Sequence, residues 1–213
     1  MKRSYLIGLT LVAVLASTAF AASSAFALES TWLVSGAKPT AAVNVDSESG
    51  STSLEDVKGG IFGEAVAVTC KVLDKGTVGP GPADTVTAVT LEECATTKGI
   101  CPSPVATAVN LPWNTKIELI GTAFYDDIVS SGVGNPGYTV SCSGVVDTCT
   151  AMLGRPLDKE NTAGGAVLVE FNPADTNQPA ADCTKGGTGQ GLVKGTQTIL
   201  TEVAGLALAF SEG

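Results

Sequence analysis

The sequence predicts an all-β protein, an antiparallel β-sandwich or Greek-key barrel of about seven to nine strands, stapled by disulfides. Three observations predict it. Apolar residues recur with a period of two, 25 glycines and 10 prolines punctuate those runs, and all six cysteines lie beyond residue 69. Charged residues make up 15% and aromatic residues 5% of the chain, which leaves few candidates for amphipathic helices.

The elements follow in order. Val66, Val68, Cys70 and Val72 alternate with Ala65, Ala67, Thr69 and Lys71, so one set faces inward and the other outward on a strand. Similar runs cover 85–91, 105–111, 115–124, 138–146, 166–171 and 192–201, rich in Val, Ile and Thr. Between them Asp74-Lys75-Gly76, Gly79-Pro80-Gly81-Pro82, residues 132–137 and residues 186–191 supply the backbone freedom and fixed φ that turns require. A short helical turn is expected around Asp126 to Ser130, and the tail from Thr201 to Phe210 suits a helix or a last strand. Without helical crossovers, the sheets should be antiparallel.

The N-terminus reads as an export signal. Lys2 and Arg3 precede an apolar run from Leu6 to Ala16, too short to span a bilayer, and small-x-small sites follow at 19–21 and 25–27. Cleavage after Ala27 gives three segments: a signal peptide at 1–27, an N-terminal extension or edge strand with an acidic loop at 28–60, and a single β domain at 61–213. The expected location is secreted, either extracellular or at the cell envelope, with no transmembrane helix after cleavage. The remaining 186 residues keep ten basic and all 21 acidic residues, a net charge of −11. Such a chain does not suit nucleic acid, which is bound by clustered Lys and Arg.

An even set of cysteines in an exported chain is expected to be paired. Cys94 and Cys101 enclose six residues, and so do Cys142 and Cys149. Both pairs read as hairpin staples, because opposed residues of an antiparallel pair lie roughly 4.5–5.5 Å apart at Cα. Cys70 and Cys183 then pair over distance. On the chain-entropy model each short loop contributes roughly 2.5 kcal/mol and the long one nearly 5 kcal/mol. Six cysteines allow 15 connectivities, so spacing alone leaves the scheme open.

The chain has no histidine. That excludes Ser-His-Asp and Cys-His catalysis and any histidine general base, and it disfavours zinc. Carboxylate or lysine chemistry is what remains, with Glu118, Asp126, Asp127 and Glu170 as candidates for a glycosidase pair. Asn44, Asp46, Glu48 and Glu55 fall at positions 1, 3, 5 and 12 of a calcium loop, although Ser49 replaces its glycine and no helices flank it. No other cofactor is expected. Ser35-Gly36-Ala37-Lys38 matches S-x-x-K without its partner motifs, and residues 187–191 miss the phosphate-loop register. Trp113, Tyr125 and Tyr138 could form a ligand-stacking surface, or pack in the core.

Leu111-Pro112-Trp113-Asn114-Thr115, the segment from Gly134 to Cys142, Asp147-Thr148-Cys149 and the glycine-rich stretch after Cys183 resemble uncharacterised secreted six-cysteine proteins of high-GC Gram-positive bacteria. Trp32-Leu33-Val34 and residues 76–81 fit the same pattern, while Tyr138 stands where tryptophan is usual. The resemblance implies export and a β-rich fold, and brings no activity or site residues. The functional expectation is therefore a secreted, non-catalytic binding or structural module for a protein or glycan. The alternatives are a histidine-independent glycoside hydrolase and a proteinase inhibitor presenting the loop from Ala95 to Ile100.

Overall fold

The computed structural model describes residues 30–56, 65–96, 99–152, 157–161, 165–171 and 181–211. The expected export signal, residues 1–27, lies outside them. The described residues form fourteen strands and no α-helix: β1 Thr31–Val34, β2 Val43–Asp56, β3 Val66–Val78, β4 Ala83–Thr96, β5 Val105–Val109, β6 Trp113–Ile120, β7 Ala123–Ser131, β8 Gly137–Cys142, β9 Val145–Thr150, β10 Leu157–Asn161, β11 Ala166–Phe171, β12 Ala181–Cys183, β13 Gly187–Thr201 and β14 Leu208–Ser211. The all-β antiparallel expectation holds, with more strands than seven to nine.

One curled sheet, rather than two facing ones, contains twelve of these strands. Ladders run β11–β10–β7–β6–β4–β3–β2–β13, and the second half of β13 returns to β11, pairing Ile199 with Val167 and Gly195 with Phe171. These eight strands therefore close into a barrel-like ring. The first half of β13 pairs instead with β12 and carries the arm β12–β9–β8–β5. The long strands serve both regions because they bend at bulges, between Ser49 and Thr52 in β2 and between Gly195 and Thr198 in β13.

Two apolar cores result. One gathers Leu54, Val66, Val68, Trp113, Ile128, Tyr138 and Val193; the other gathers Val45, Val78, Ile117, Val167, Ile199 and Phe210. The β1–β14 ladder closes the second, with Trp32 fully buried and edge-on to Phe210 at 6.3 Å between centroids.

Several expected elements are corrected by register. The run 115–124 is a hairpin, β6 turning into β7 at Gly121-Thr122, and the expected helical turn from Asp126 to Ser130 is part of β7. The run 138–146 is likewise two strands, β8 and β9. The segment 28–60, read as an extension or edge strand, supplies β2, which lies between β3 and β13 inside the sheet. Residues 187–191 form the start of β13 just after the turn at 184–186, and Gly187 and Gly189 keep the positive φ expected of them.

All six cysteines are paired, as Cys70–Cys94, Cys101–Cys142 and Cys149–Cys183, so the hairpin-staple scheme is overturned. Register explains why. The β8–β9 turn is only Ser143-Gly144, which sets Cys142 opposite Val145 and Cys149 opposite Tyr138. Cys149 directly faces Cys183 across β9 and β12 instead, at 4.0 Å between Cα atoms. Cys94 meets Cys70 across β3 and β4 and Cys101 meets Cys142, so the 95–100 loop is anchored at both ends to other strands rather than closed on itself; residues 97–98 of it lie outside the described set. The three links enclose separations of 24, 41 and 34 residues. On the chain-entropy model each is worth roughly 3.5–4 kcal/mol, so no single long bridge dominates.

Candidate functional site

The strand alternation that builds the core also builds a cavity. Inward positions of β3 run Val66, Val68, Cys70, Val72, then Asp74, and after a bulge Val78. Facing rows bring in Val45, Ser47 and Leu54 from β2, Val86, Val89 and Leu91 from β4, and Val193, Gln197 and Ile199 from β13. Together with Trp113, Ile128, Val169 and Phe171 they line a hollow of about 110 Å³, partly open to solvent.

The polar groups of this hollow fall into two sets. In the first, Ser47 and Asp74 are directly opposed in the β2–β3 register, and Gln197 hydrogen-bonds the Asp74 carboxyl. Burial pushes that carboxyl up to about 7, with the Gln197 bond only partly offsetting it. In the second, Asp84 accepts hydrogen bonds from Trp32 Nε1 at 3.1 Å and from the Thr115 hydroxyl. Asp126 lies within reach of the same hydroxyl and is pushed well above the usual carboxylate range, first by burial and then by the charges of Asp84 and Asp127. Thr115 has one proton and Asp84 takes it. The Thr115 hydroxyl thus stands between the two carboxyls.

The residues singled out from sequence are placed differently from one another. Of Glu118, Asp126, Asp127 and Glu170, only Asp126 faces the cavity. Glu118 pairs with Lys116 at 3.6 Å on the outside of β6, and Asp127 stands opposite Lys116 in register. The expected aromatic surface is buried: Trp113, Tyr125 and Tyr138 are 7%, 8% and 4% exposed. Trp113 donates Nε1–H to Val109 O at 2.8 Å, and Tyr138 donates its hydroxyl to Glu55 O at 3.2 Å, each satisfying its polar end inside. Both line the cavity, so they act as its inner wall rather than an outer platform. Burial raises the Tyr138 phenol and keeps it neutral.

Asn44, Asp46 and Glu48 lie along the extended strand β2, and Asp46 is bonded to Lys75 at 3.1 Å. An extended strand does not wrap an ion as a calcium loop does. Asp147, Cys149 and Cys183 also converge, but both sulfurs are spent in a disulfide and Asp147 accepts from Thr184 and from the Lys185 amide. Asp74 and Asp84 are the site residues that sequence reasoning missed. For Asp74 the signal was parity, since it takes the slot after Val66, Val68, Cys70 and Val72, whereas Asp84 shares its parity with Val86 alone before the register shifts.

No protein-family model, no curated protein and no solved structure matches this chain.

Proposed function

We propose that this chain is an exported, non-catalytic binding module, of the same kind as the secreted six-cysteine proteins it resembles, and that its ligand seat is the interior cavity. The observation that carries this reading is a partly open hollow with predominantly apolar walls and a few inward polar groups, the usual make-up of a small-molecule site. Three disulfides are compatible with an extracellular protein, and no helix among the described residues is long and apolar enough to cross a membrane. A glycan stacking on exterior aromatics finds no support from Trp113, Tyr125 or Tyr138, which are buried.

An environment-sensitive apolar dye tests the reading. The unmodified protein should bind it, and Val89→Trp, which fills the cavity, should lose at least about tenfold in affinity. Failure of the unmodified protein to bind, or equal binding by the filled variant, overturns it.

One observation favours a second reading, a histidine-independent hydrolase: Asp84 and Asp126 converge on Thr115, and burial and neighbouring charge raise the Asp126 carboxyl. Against it, β4 and β7 flank β6, so both carboxyls stand on one wall rather than on either side of a scissile bond. A polysaccharide hydrolysis screen that detects turnover abolished by Asp126→Asn would establish it.

A further inference from the structure

The polar atoms of the cavity point to the chemistry of its ligand. Ser47 Oγ and Asp74 Oδ1, directly opposed on β2 and β3, are buried and make no hydrogen bond. Asp126, 9% exposed, leaves its Oδ1 likewise without a partner. All three residues line the one hollow. Buried polar atoms are nearly always hydrogen-bonded, so three such oxygens around an apolar space favour a ligand that brings donors.

Charge narrows the choice. The lining residues include the acids Asp74, Asp84 and Asp126, and among them Lys75 is the single base. Its ammonium is turned to the surface, where it holds Asp46 at 3.1 Å and Glu202 at 3.3 Å. No cation is therefore aimed at the cavity from the described residues that line it. An anionic head would meet carboxyls with nothing to offset it, and a neutral hydroxyl would bring one donor where several oxygens accept. An ammonium brings three donors and the missing charge.

Size completes the description. An engineered cavity of about 150 Å³ holds benzene, so a hollow of 110 Å³ takes an enclosed apolar body of about four or five carbon atoms. Resting on the cavity as the ligand seat, we propose that it selects a small aliphatic amine, the alkyl body against Val72, Val89 and Val193 and the ammonium on Ser47 and Asp74, with Asp126 as a second acidic point.

The test uses three probes of nearly matched body: isoamylamine, isoamyl alcohol and isovalerate, titrated into the disulfide-bonded protein with isotope-labelled valine methyl groups. Isoamylamine should shift the cavity valines with an affinity at least about tenfold above the other two, as expected for charge-assisted hydrogen bonds. Asp74→Asn and Ser47→Ala, checked as folded from the same methyl spectra, should each reduce that preference, the first abolishing it. Equal binding of the alcohol, tighter binding of isovalerate, or a preference intact in Asp74→Asn overturns the amine assignment while leaving the cavity as a ligand seat. Binding by none of the three overturns both. The comparison among probes on the unmodified protein needs no variant to fold.

Discussion

Replacing Asp74 by asparagine should make the protein more stable at neutral and alkaline pH and leave it unchanged in acid. Asp74 occupies the slot after Val66, Val68, Cys70 and Val72 on the inward face of β3, and burial raises its carboxyl from 3.8 to about 7. Below about pH 4 the carboxyl is protonated both folded and unfolded and contributes no difference. Between about pH 4 and pH 7 the unfolded chain ionises while the folded one keeps its proton, so the folded state binds more protons and stability falls as pH rises. Above about pH 7 both are ionised, and the folded state carries the full cost of a buried charge. Each tenfold change in the ionisation constant is worth about 1.36 kcal/mol, so the loss amounts to about 4 kcal/mol. Asparagine keeps the size and a hydrogen bond to Gln197 without the charge. Thermal melts of the two proteins, disulfides intact, should coincide near pH 4 and separate by roughly 10 °C near pH 8, with the variant higher. Asp126 shifts stability in the same direction in both proteins and cancels in the difference. A separation independent of pH, or a variant less stable near pH 8, would refute the placement of Asp74.

Other perturbations probe the frame around the cavity. Peptide mapping without reduction should return Cys70–Cys94, Cys101–Cys142 and Cys149–Cys183; a Cys94–Cys101 peptide would contradict the β3–β4 pairing and a Cys142–Cys149 peptide the β8–β9 register. Gly137→Ala should cost about 2 kcal/mol or more in urea melts, because a Cβ there would lie 2.0 Å from the Cys149 carbonyl oxygen and the β8–β9 backbones would have to part. Trp32→Phe removes the donor to Asp84 at 3.1 Å and should cost about 1.5–3 kcal/mol; an unchanged melt would show that this bond does not hold the barrel end.

Much of the architecture was legible where side chains alternate in chemistry. The Val66 to Val72 row declared both a strand and its inward face. Parity extended two residues further would have flagged Asp74 as an acid in a core slot. What escaped depends on partners. β2 hides because its inward slots at the bulge are filled by Ser49 and Thr52, bonded to each other at 2.9 Å, so the strand lacks an apolar stripe. The glycines of 187–191 look like a turn, but the turn lies at 184–186 and they begin β13. The cysteine pairing failed for a local reason: equal spacing says nothing of register, and a two-residue turn at Ser143-Gly144 slides Cys149 past Cys142 to face Cys183. Of the two expectations for the aromatic residues, core packing holds, and Trp113 and Tyr138 carry their polar ends to backbone carbonyls inside, partners that no spacing rule reveals.

The central claim is that an accessible hollow exists between the two cores and accepts an apolar guest. Diffraction from crystals held under xenon tests it directly, since xenon enters apolar cavities of this size. Xenon should appear within the wall formed by Val72, Val89, Trp113, Ile128 and Val193. Diffraction that shows those side chains packed against one another, with xenon only at the outer surface, would contradict it.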